Sequence, residues 1–234
     1  MRKLIVLIAL MVSFSSCELL KEFDLPEGTA SAGLTEEEVA RGLKEALQVG
    51  TENGVERLSK KNALYENNRL RIPFPEDAKI VEDKLRDLGM DPVVDDFIQK
   101  MNHGAEEAMT KAKPVFKDAI REMTIRDAKN ILRGEDDAAT QYFRQKTSER
   151  LYTLFKPEMK KTLDQMQVTD LWAKVMNAYN KIPLQQDVNA DLPDYLTRQA
   201  MDRLFKVIAQ EELKIRQDPQ ARVSELLKKV FANQ

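Results

Sequence analysis

Cysteine, histidine and tryptophan occur once each in this chain, and that scarcity removes several chemistries at the outset. With Cys17 alone, no disulfide can form within the chain. Zinc sites draw on several Cys and His ligands, and His103 is the only histidine available, better read as a surface or capping residue. A charge of one sign is also missing. The 37 basic and 39 acidic side chains are interspersed and leave a formal net charge of -2, so there is no basic stripe for a phosphate backbone and no nucleic-acid partner is expected. The HExxH, GxSxG, SxxK, GxxxxGK and GxGxxG patterns are absent; no catalytic residue is assigned and no cofactor is expected. No stretch of four or more residues alternates in the manner of a strand with β-branched enrichment. Long apolar runs are lacking as well: Leu4 to Val12 is nine residues, where a membrane-spanning helix needs about 20.

That short run is informative for what surrounds it. Met1, Arg2 and Lys3 precede it, and Ser13 to Ser16 follow it before Cys17, the charged, apolar, small-residue order of a secretory signal. Ser15 and Ser16 directly before the cysteine resemble a bacterial lipobox, although Phe14 stands where Leu is commonest. The expectation is a lipoprotein signal peptide over 1–16, removed when Cys17 is acylated, and a flexible tether over 17–34 carrying Pro26, Gly28 and Gly33. Several acyl chains anchor stably where one is marginal. The protein is thus expected in the bacterial cell envelope, on the outer rather than the inner membrane, with its domain, residues 35–234, in the periplasm. The alternative is an ordinary signal peptide with an incidental cysteine.

Downstream of residue 34 the apolar period is helical throughout. Thr35 with Glu38 forms a capping box opening a helix to about Gln48, where Gly50 and Gly54 are expected to loosen its end before a second helical piece near Val55 to Leu64. "RIPFPEDA" must be extended or turned. Helix returns from Ala78 to Leu88, and "GMDP" stops it, with Asp91 as N-cap. From Met101 to Met123 one stripe alternates small and large residues, interrupted by Pro114. Thr124 with Asp127 marks another start, Gly134 a C-cap, and Pro157 a second break in the following helix. Thr169 opens a helix bearing Trp172, Asp191 caps one running from Tyr195 to Arg216, and "QDPQAR" turns into Val223 to Phe231. The fold class is all-α: a single-domain bundle of about seven to nine helices with proline-marked breaks.

The segments "RIPFP", "AKPVFKDAIREMTIRDAKNILRGEDDAATQYF", "DLPDYLTRQAMDRLF" and "IAQEELKIRQDPQARVSELLKKVF" occur in an order that resembles the bacterial domain-of-unknown-function family 4197 (DUF4197), from about Leu34 to Phe231. The resemblance implies a helical, commonly exported envelope protein and brings no activity or catalytic residue with it. Two departures stand out: His103 and Gly104 where a basic residue and an alanine are expected, and Arg203 where a glycine is.

Among candidate sites, Asp187, Asn189 and Asp191 have the spacing of a calcium loop, but Leu192 replaces the turn-making glycine and Arg198 the bidentate glutamate. They remain weak metal candidates, with Asp191 better read as a helix cap. The pairs Glu106–Glu107 and Glu211–Glu212 do not face each other on a helix; Glu107 with Lys111 and Glu212 with Arg216 are expected to form solvated ion pairs. The aromatic residues are expected to be core, with Tyr142, Phe143, Phe155, Trp172 and Tyr179 the candidates to line an apolar groove. Three functions are open. The favoured one is a lipid-anchored interaction or structural module for an envelope protein partner. The second is a carrier of a lipid or acyl chain, and the third an enzyme using carboxylates or a divalent cation.

Overall fold

A computed structural model describes residues 34–179 and 191–232, and among them nine α-helices and two short 3-10 turns follow one another with no strand. Helix α1 (Glu36–Leu58) opens as expected: the Thr35 hydroxyl accepts the Glu38 N–H at 3.2 Å and the Glu38 carboxylate accepts the Thr35 N–H at 2.9 Å. It does not end near Gln48. The helix runs on through Gly50 and Gly54, both buried, to Leu58, so the expected second piece is the last turn of α1 followed by irregular chain to Arg71. A glycine costs a helix interior about 1 kcal/mol relative to alanine. Here Leu43, Ala46, Leu47, Val55 and Leu58 are buried as α1 packs on α8 (Leu192–Gln217) and on other helices, and that burial outweighs the propensity.

The stripe from Met101 to Met123 is buried as its period implies, divided between α3 (Asp91–Met109) and α4 (Ala112–Glu122). Pro114 is the third residue of α4, where its missing N–H has no intrahelical acceptor in any case; the break falls just before it. A second capping box, Thr124 with Asp127, starts α5 (Ile125–Leu132). Helix α6 spans Ala138–Gln165 with Pro157 inside it, so the second proline does not break its helix. The carbonyl it frees is that of Thr153, and both residues are exposed, where water can replace the lost bond. On the opposite face Leu151, Phe155 and Met159 are fully buried and hold both halves in line.

The short α2 (Lys79–Asp87), α7 (Val168–Tyr179) and α9 (Glu225–Val230) complete the set. Helix α8 packs on both α1 and α6, and Phe116 of α4, Phe143 of α6 and Phe205 of α8 meet edge to face with ring centroids 5.3 and 6.3 Å apart.

Two glutamates are buried, among them Glu212, which was expected in a solvated ion pair. Glu212 accepts the N–H groups of Ala139 and Thr140 at 2.9 and 2.8 Å, capping α6 from α8, and pairs with Arg216 at 3.0 Å. Arg216 in turn donates to the Ile131 carbonyl at 2.8 Å, closing the end of α5. Glu106 of α3 accepts the N–H groups of Asn62 and Leu64, both at 2.9 Å. Glu107 does not reach Lys111, because α3 ends at Met109 and Lys111 lies past its last turn. Lys111 pairs with Glu158 at 3.7 Å.

Candidate groove between the second, third and seventh helices

The segment after α1 is fastened to α3 by side chains. Asn102 bonds both the N–H and the carbonyl of Ile72, each at 2.8 Å, as a neighbouring strand would. His103 Nε2 lies 2.8 Å from the Asn62 side-chain oxygen, which commits the only histidine to the same clamp, and Asn62 has a left-handed φ of 67°. Arg203, at the position where glycine was expected, reaches the Leu70 carbonyl at 3.4 Å. Held this way, the Pro73-Phe74-Pro75 segment turns Phe74 inward, and Tyr195 secures it from α8 by donating to the Pro73 carbonyl at 3.2 Å. Burial pushes the Tyr195 hydroxyl up to about 12.

Phe74 meets two further rings. Phe97 of α3 and Trp172 of α7 lie 5.1 and 5.4 Å from it, and Phe97 stacks on Trp172 at 5.4 Å. These three rings, from three separate elements, floor an open groove of about 320 Å³. Its walls are Val81 and Leu85 of α2, Met90 and Val94 at the start of α3, and Met166 and Met176 across the gap. Methionine adapts its shape to what it meets. Polar groups lie at the edge, where Lys100 pairs with Asp96 at 2.7 Å. The Trp172 indole N–H is buried and finds no acceptor among the described residues.

Two tight joints set the width of this groove. Between α2 and α3 the Gly89 N–H bonds the Arg86 carbonyl at 2.8 Å and the Met90 N–H bonds the Leu85 carbonyl at 3.0 Å, the Schellman pattern, which places a left-handed residue just past the helix. Gly89 supplies it at φ 73°. The two positions between which an apolar contact commonly accompanies this motif are Leu85 and Met90, both groove walls. Between α6 and α7 the left-handed residue is Gln167, at φ 58°, a conformation costing a side-chain-bearing residue about 1–2 kcal/mol. The apolar surface continues outward from the exposed wall residues Val93 and Met90, 47% and 38% accessible, to Leu88, which is 76% exposed.

Of the residues singled out in the sequence, Trp172 is in the groove. Phe143 and Phe155 are fully enclosed in the core, and Tyr142 packs on Phe143 at 5.9 Å with Lys146 over its ring. The side chain of Tyr179, together with Cys17, Asp187 and Asn189, lies outside the described residues. Asp191 acts as the expected cap, accepting the Asp194 N–H at 3.0 Å, and is bonded by Lys156 at 2.7 Å. Arg198 beside Asp194, joined by Tyr152 and Lys156, holds that carboxyl below the usual carboxylate range. These acids are taken up by bases and backbone, and among the described residues no group of three or more His, Cys, Asp or Glu side chains is placed to hold a metal. No described helix is long and apolar enough to cross a membrane. Phe74, Phe97 and Gly89 are not among the sequence candidates; "RIPFP" signals an enforced turn at Phe74 and "GMDP" one at Gly89, while Phe97 lies within α3 and carries no such signal.

A family described as Protein of unknown function (DUF4197) has a model that matches residues 33–232. No curated protein and no solved structure matches the chain.

Proposed function

The chain belongs to the DUF4197 family, and from its groove we propose a binding module, tethered to an envelope membrane through acylated Cys17, that engages a partner protein between α2, α3 and α7. The observation that carries this reading is the open aromatic floor of Phe74, Phe97 and Trp172, continued outward by exposed Val93 and Leu88. Contiguous exposed apolar surface rimmed by charge is the mark of an interaction site. Methionine walls suit a partner whose side chains must be accommodated rather than matched rigidly.

A second reading is carriage of a small apolar ligand, favoured by the groove volume of about 320 Å³, at the lower end of ligand pockets at roughly 300–1,000 Å³. The two differ in what contacts position 93. A photo-crosslinking residue placed there, in the full chain in its own membranes, is expected to yield a discrete protein adduct. The same group at exposed position 149 on α6 is expected to yield none. Adducts of lipid mass alone at 93 would support the carrier and overturn the binding module.

A further inference from the structure

A second hollow, of about 680 Å³, shares no residue with the groove. It lies where α5 and α8 end, and among the described residues its wall joins Arg133, Arg216 and Arg222 to the Phe231 ring and one carboxylate, Asp136. Two of these arginines are there because a helix end recruits each of them. Arg216 closes α5 through the Ile131 carbonyl and is neutralised by Glu212 at 3.0 Å. Arg222 closes α8, its Nε and Nη2 donating to the carbonyls of Ile215 and Arg216 at 3.1 and 2.7 Å.

Arg222 has no acid of its own. It is 9% exposed, yet it forms no ion pair with any described carboxylate. A helix C-terminus supplies only about half an elementary charge of the opposite sign, so positive charge is left over where unpaired charge is costly. Three of its five N–H groups meet no acceptor among the described residues, and its guanidinium lies 5.8 Å from the centre of the Phe231 ring, which shares the wall. Arg133 is exposed and its side chain makes no hydrogen bond or ion pair with a described residue. Its charge is felt by Glu36, but that carboxylate is already bonded by Lys129 at 2.6 Å.

Two guanidinium groups on one wall are therefore without an acid partner. A carboxylate is used up by one guanidinium fork, whereas a phosphate has oxygens for two. A flat bilayer does not reach a guanidinium recessed as far as that of Arg222, and a small molecule does. We infer that this hollow binds the phosphate group of a small soluble molecule, with Arg222 and Arg133 donating to its oxygens and Phe231 beside its organic part. The site stands apart from the binding-module reading, and either holds without the other.

The test titrates the full chain, carrying Cys17→Ser so that no acyl chain holds it to lipid, with glycerol phosphate, with glycerol, and with vesicles of phosphatidylglycerol or phosphatidylcholine. Glycerol phosphate is expected to bind saturably in calorimetry and to raise the thermal midpoint, and glycerol to do neither. Arg133→Gln, at an exposed position, is expected to weaken binding about ten-fold. Asp136→Asn, which removes the opposing charge, is expected to tighten it about five-fold. Arg222→Gln is expected to abolish binding; because it also uncaps α8, the two exposed variants decide the matter if its helix content falls. Arg126→Gln, an exposed base of α5 outside the hollow, is expected to change nothing. No saturable binding of glycerol phosphate, or binding that neither Arg133→Gln nor Asp136→Asn alters, would overturn the inference. Binding to phosphatidylglycerol vesicles alone, lost in Arg133→Gln, would assign the hollow to a lipid headgroup and overturn the soluble ligand.

Discussion

Tyr195 fixes the floor of the groove through one hydrogen bond to Pro73, and its ionisation gives that contact a spectroscopic signature. Its folded value is raised to about 12 by burial, against about 10 for an exposed tyrosine. The neutral form is therefore favoured by folding. The associated stability is intact below pH 10 and is lost as pH rises toward 12. An ultraviolet titration of the chain's five tyrosines is expected to show one ionising near 12, and Tyr195→Phe is expected to remove that step.

Glu106 makes a stronger demand at the same scale. It satisfies the N–H groups of Asn62 and Leu64 from a buried position. Hydrogen bonds to a charged group contribute about 1.5–3 kcal/mol, so Glu106→Ala is expected to cost roughly 3 kcal/mol in chemical denaturation. Glu106→Gln, which keeps one acceptor oxygen, is expected to cost about half as much. Residues of this kind explain where sequence reading stops. Thr35, Thr124 and Asp191 were legible as caps because each bonds a backbone N–H three residues on. Glu106, Asn102 and Glu212 bond chain 30 to 73 residues away, and no local pattern records such a partner.

Among the elements, the same limit separates the helices whose ends were foreseen from those that were not. Start signals and periodicity are local, so α2, α5 and α8 were legible to within a residue or two at most of their ends. The continuation of α1 past Gly50 and of α6 past Pro157 depends on what their buried faces meet, which is tertiary. The glycines of α1 can be told apart by that contact. A Cβ on Gly42 would lie 2.6 Å from Val230 Cγ2 and 3.2 Å from Leu226 Cγ of α9, so Gly42→Ala is expected to loosen α9 and to destabilise the fold by about 1–3 kcal/mol, the usual range for overpacking. At Gly50 the nearest atom, Ile215 Cδ1, would be 3.4 Å away, close to ordinary contact. There the gain in helix propensity decides, and Gly50→Ala is expected to stabilise by up to about 1 kcal/mol. Thermal denaturation of the two variants should move in opposite directions.

For the molecule as a whole, the all-α class was readable from spacing alone, whereas Trp172 was one of five aromatic groove candidates that spacing did not tell apart. The groove itself was not readable, because Phe74, Phe97 and Trp172 come together only when the extended segment, α3 and α7 dock, and Gly89 and Gln167 set the angles at which they do so. The other aromatic candidates, Phe143 and Phe155, satisfy the same helical period and fill the closed core. Periodicity identifies a buried face without saying whether its far side is protein or open space. The central claim, that this face is the one the protein uses, is tested most directly by hydrogen exchange on the full chain, comparing protein in its own membranes with the same protein purified. The account expects backbone amides over 81–97 and 166–176 to exchange at least ten-fold more slowly in the membranes, with the α5 and α9 face unchanged. Unaltered exchange over those two stretches, or protection confined to α5 and α9, would contradict it.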